Sequence, residues 1–64
     1  MIKPADAARM IVDAVNADAG LARAVYDSPE PIRAMIYMTD IVDADELDGT
    51  PYFSQLMDEI EEIY

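Results

Sequence analysis

Thr50-Pro51-Tyr52-Phe53-Ser54-Gln55-Leu56-Met57-Asp58-Glu59-Ile60-Glu61-Glu62-Ile63-Tyr64 has the pattern of one amphipathic helix. Phe53, Leu56, Met57, Ile60 and Ile63 fall within an arc of about 120° when roughly 100° of turn is given to each residue. Asp58, Glu59, Glu61 and Glu62 fill the opposite arc. Thr50 suits an N-cap, and Pro51 suits the first helical position, where its missing N–H costs little. Such a helix has to bury its stripe against another element. No segment of the chain sustains the period-two alternation of a half-buried strand. The expected fold is therefore all-α, a small bundle of three to four short helices with short connections. A short hairpin around 36–54 stays open, because Ile, Val, Tyr and Met are frequent there.

Moving towards the N-terminus, Asp43 to Gly49 has the composition of an acidic loop. Before it, Ser28-Pro29-Glu30-Pro31 repeats the pairing of a cap residue with proline. The spacing predicts a helix over 29–42 with Ser28 as its N-cap and Pro31 still in the first turn. From Ile32 to Val42 that helix is apolar nearly all round, with Arg33 and Asp40 the exceptions. A helix of this kind is either central in its own fold or shared with a partner, so a homodimer through 29–42 is one expectation. Pro4 suits a first turn, and Ala8, Ile11, Val12 and Val15 follow at helical spacing. Asn16 to Asp18 is a break, with Asp18 or Asn16 able to cap a second helix carrying Leu21, Ala22 and Val25. One continuous helix over 4–27 is the alternative, and a bend is favoured.

Length and composition set the outer limits. Sixty-four residues make one domain, 1–64. A domain of that size buries only about 60% of its unfolded surface. With no Cys and no His, disulfides and zinc through those ligands are excluded. One Lys and three Arg cannot neutralise many phosphates, so direct nucleic-acid binding is not expected. No apolar run approaches the ~20 residues of a membrane span, and Met1-Ile2-Lys3-Pro4 lacks the apolar segment of a secretory signal. The expectation is a cytoplasmic protein with no membrane contact.

The formal charge is −10, and it is unevenly divided. Residues 1–33 hold all four cations, Lys3, Arg9, Arg23 and Arg33, against five acids. Residues 34–64 hold nine acids and no cation. Glu61 and Glu62 would stand in a last helical turn, where the macrodipole disfavours each by ~0.3–1 kcal/mol. Asp58 and Glu62 repel at i,i+4 by about 0.2–0.5 kcal/mol. A sequence shaped for stability alone would place cations there. Adaptation to high salt is one explanation, since Asp outnumbers Glu and lysine is nearly absent. Such adaptation should acidify the whole surface, whereas the charge here is confined to one half. That asymmetry favours a site.

Other chemistries fit less well. A nucleophile would have to be Ser28, Ser54, Thr39, Thr50 or a tyrosine, with only carboxylates or Lys3 as base, so the chain is not expected to be an enzyme or to carry a cofactor. Placing Gly49 at the sixth position of a calcium loop puts Ala44 first, where an oxygen ligand is required, and Gln55 twelfth, where a bidentate glutamate is required, so no metal site is expected. Asp27-Ser28 is similar to the Asp-Ser-Leu of acyl carrier proteins, in which the serine bears phosphopantetheine, although Pro29 replaces the leucine.

Carboxylates along a helix and its preceding loop can instead imitate the charge row of duplex DNA, one charge per ~1.7 Å of axis. Tyr37, Tyr52 and Tyr64 lie in or beside this half and suit interface anchoring. In size and charge the chain resembles the small acidic phage-encoded anti-CRISPR proteins, several of which act as DNA mimics. That resemblance implies an inhibitor in the host cytoplasm that occupies the basic groove of a CRISPR effector and blocks target DNA. The residues expected to bind a basic nucleic-acid-binding partner are Asp40, Asp43, Asp45, Glu46, Asp48, Asp58, Glu59, Glu61 and Glu62. A small helical interaction or dimerisation module is the alternative, with an acyl-carrier-like protein behind it.

Overall fold

Three of the helices begin on a proline. The ring of each disfavours the α conformation in the residue before it, so that residue stays extended and the helix starts on the proline itself. A computed structural model describing residues 1–64 shows this at Pro4, Pro31 and Pro51. Lys3, Glu30 and Thr50 all stand outside the helical region in front of them. The five helices are α1 (Pro4–Asn16), α2 (Ala19–Tyr26), α3 (Pro31–Thr39), α4 (Ala44–Leu47) and α5 (Pro51–Ile63). The all-α bundle is as expected, with five helices in place of three to four and no hairpin over 36–54.

The chain does bend after Asn16. Asp18 is extended, and its carboxylate accepts from the Leu21 N–H at 3.1 Å, which caps α2. The helix expected over 29–42 is shorter at both ends. Glu30 is held out of the helix by Pro31, so Ser28 does not cap; its Oγ accepts from the Glu30 N–H at 3.3 Å within the turn. At the other end Asp40 adopts the left-handed conformation with φ 54°, which stops α3 at Thr39. The acidic loop also contains a turn of helix, α4, where the Asp43 carboxylate accepts from the Glu46 N–H. Thr50 then joins α4 to α5. Its hydroxyl donates to the Leu47 carbonyl at 2.6 Å and accepts from the Phe53 N–H at 3.3 Å.

The two 13-residue helices, α1 and α5, form the longest packed pair. Ala7, Ala8, Ile11, Val12 and Val15 of α1 meet Phe53, Leu56 and Ile60 of α5 in one core with Val25, Met35, Ile36 and Ala44. Every buried residue is apolar. Of the predicted α5 stripe, Ile63 is left exposed at the helix end. Helix α3 touches each of the other four helices, which accounts for its broad apolar face within one chain. The accessible surface is 4062 Å². That is close to the about 4,100 Å² expected of a compact chain of 7.1 kDa.

Candidate acidic binding surface

The acids of the C-terminal half occupy three distinct settings. The first is a cluster on the flank of α3. Arg33 and Tyr37, one turn apart, both reach Asp48 at the end of α4. The Arg33 guanidinium forms an ion pair with the Asp48 carboxylate, and the Tyr37 hydroxyl donates to the same oxygen at 2.5 Å. The guanidinium also lies 5.4 Å from the Phe53 ring centre and within 3.8 Å of Glu30. The Tyr37 hydrogen bond is the main cause that lowers the Asp48 pKa, with the Arg33 charge and hydrogen bond adding to it against partial desolvation. In turn Tyr37 is raised by its bond to Asp48, then by burial and by the charges of Asp48 and Asp45. Arg33, which belongs to the nearly neutral half of the sequence, thus offsets one charge of the acidic half. Asp48 is engaged within the fold, and Arg33 offsets its charge there.

The second setting is the outer face of α5. Asp58, Glu61 and Glu62 line a shallow concavity that contains no apolar residue. At about 100° per residue they share an arc of roughly 100°. Their chain neighbour Glu59 is half-exposed and stands on the other flank, on the side of Tyr52, so the four carboxylates do not form a single row. None of the four forms an ion pair, and the last turn of α5 carries no basic residue. Asp58, Glu61 and Glu62 display their charge to solvent, and Glu59 does so in part.

The third setting is the α3–α4 region. Asp40, Asp43, Asp45 and Glu46 are all exposed. Asp43 is partly used as the α4 cap, and Asp45 is close enough to act on Tyr37. Nowhere do three carboxylates converge closely enough to hold a metal ion. Ala44, the first position of the hypothetical calcium loop, is buried in the core, so no ligand can be offered from that point.

The tyrosines are more occupied than sequence alone suggested. Tyr37 is half-engaged with Asp48, and its ring meets Phe53 edge-on at 6.1 Å. The Tyr52 hydroxyl donates to the Ile2 carbonyl at 2.6 Å, tying the segment before α1 to α5. Burial raises the Tyr52 pKa. Tyr64 stacks on Tyr26 at 5.8 Å and keeps about half its surface exposed beside Ile63.

Two features escaped sequence reasoning. The Arg33–Asp48–Tyr37 cluster spans 15 residues of chain; the i,i+4 spacing of Arg33 and Tyr37 marks a shared flank but not its partner. The second is an apolar cleft lined by Met1, Ile2, Ile41, Val42 and Leu47, with Asp43 and Glu46 at its edge. No family model, curated protein or solved structure matches the chain.

Proposed function

We propose that this chain is a non-enzymatic binding protein whose acidic surface occupies the basic groove of a nucleic-acid-binding protein in place of nucleic acid. The observation that carries this is the outer face of α5. Asp58, Glu61 and Glu62 stand together, unpaired, and two of them are in the helical turn where an anion costs most. Exposed carboxylates on Asp40, Asp43, Asp45 and Glu46 extend the one-signed field to a second region of the surface. Opposite fields of this kind speed encounter with a cationic groove and set its orientation. The resemblance to anti-CRISPR DNA mimics places an RNA-guided effector among the candidate partners, with blocked target-DNA binding as the outcome.

Affinity capture from cell extract at low salt, with elution by rising salt, tests this. A basic nucleic-acid-binding protein should elute, and simultaneous Asp58→Lys, Glu61→Lys and Glu62→Lys substitutions should abolish its capture while helix content is kept. Retention by the triple variant at moderate salt would defeat the proposal.

Assembly through α3 is a second reading, favoured by Met38, which is 46% exposed on that helix beside Tyr37. Ile36 is fully buried and would report folding instead of assembly. Met38→Lys should then halve the mass seen by light scattering; an unaltered mass counts against a dimer.

A further inference from the structure

We propose that the cleft between residues 1–2 and the α3–α4 connection receives one apolar side chain carried on a cationic segment of the partner. This rests on the acidic-surface reading and adds what that partner must present. The cleft holds about 290 Å³. Small-molecule pockets run to roughly 300–1,000 Å³, so this one is sized for a single side chain. Its floor is firm, because Ile41, Val42 and Leu47 are half-buried against the core. One wall is anchored by the Tyr52 hydroxyl on the Ile2 carbonyl. Asp43 and Glu46 stand exposed at the rim, and neither forms an ion pair.

These features select the occupant. An acidic or fatty-acid ligand would bring its carboxylate against two others. A second copy of this chain would bring a formal charge of −10 towards the same rim. A leucine, isoleucine or methionine flanked by lysine or arginine satisfies the walls and the rim together: the side chain leaves water while its neighbours meet Asp43 and Glu46. A basic groove with one apolar side chain projecting from it would thereby be distinguished from a merely cationic surface.

Methyl and amide NMR of the full chain, titrated with capped pentapeptides, tests this. The probes are Lys-Arg-Leu-Arg-Lys, the same peptide with serine at its centre, and Glu-Glu-Leu-Glu-Glu. The first should shift the methyls of Ile2, Ile41, Val42 and Leu47 saturably. Serine at the centre should weaken binding by about tenfold or more, and the acidic peptide should not bind. Glu46→Gln, at an exposed position, should weaken the leucine peptide about twofold to threefold with unchanged circular dichroism. Unmoved cleft methyls, equal affinity for the leucine and serine peptides, or undiminished affinity of the Glu46→Gln chain would overturn the inference. If both cationic peptides shift the Asp58, Glu61 and Glu62 amides alike, the acidic-surface reading survives without the cleft. If neither shifts any residue, both fall.

Discussion

Asp40 and Gly49 are the two residues with positive φ, at 54° and 88°, and they bracket the segment that carries α4. An L side chain is strained in that region, so Asp40→Gly should raise stability by about 0.5–1 kcal/mol in urea unfolding. Gly49→Ala should lower it by about 1 kcal/mol or more. The space around a Cβ there is open, so the backbone alone sets that cost. Asp48 gives a pH signature. Its folded pKa lies below the ordinary 3.8 because Tyr37 and Arg33 favour the carboxylate. The stability it contributes is complete above the unfolded pKa and is lost as pH falls through the lowered folded value. Tyr37 has the opposite sign: raised above 10.0, it contributes fully below that pH and loses its contribution as pH rises through the folded value. Melting temperature against pH should therefore lose its Asp48-dependent acid limb in Asp48→Asn. Tyr37→Phe should flatten the alkaline limb. Unchanged profiles would show that the cluster is not maintained in solution.

At the scale of the element, α5 sets stability against display. Glu62→Lys removes an anion from the last turn, adds a cation there and turns the i,i+4 repulsion with Asp58 into attraction. Thermal unfolding should show a gain of about 1 kcal/mol, while partner binding weakens. A loss of stability would mean that these carboxylates make contacts the folded chain needs. Much of this helix was legible beforehand, because the cap, the proline and the stripe of Phe53, Leu56 and Ile60 all point the same way. The α1 stripe and the Asp18 cap were legible for the same reason. At the start of α3 the restriction that Pro31 places on Glu30 outweighs the cap-and-proline pairing of Ser28-Pro29. Its end depended on a left-handed aspartate, which follows from how the chain must turn and not from local propensity. The acidic residues could be counted from sequence, but their separation into an α5 face, an α4 region and an engaged Asp48 could not. That division depends on helix phase and on a cross-helix ion pair.

For the whole molecule, the formal −10 lies over a small core that is apolar throughout and closes on itself. Such a core should hold the chain folded at ordinary ionic strength despite the repulsion. Melting curves in about 0.1 M and about 2 M KCl, where screening lengths are about 10 Å and below 3 Å, should both show a cooperative fold, with a modest rise at high salt. A chain largely unfolded at the lower concentration would assign its acidity to salt adaptation instead of to a site. Binding should run the other way, weakening as salt rises, because it depends on opposite fields at an exposed surface. The most direct measurement of the central claim is competition for the captured partner between this chain and a labelled DNA duplex, followed by fluorescence anisotropy. The native chain should release the duplex, and the folded variant reversed at Asp58, Glu61 and Glu62 should leave it bound; a duplex that stays bound under saturating native chain, or one released equally by both, would contradict the claim.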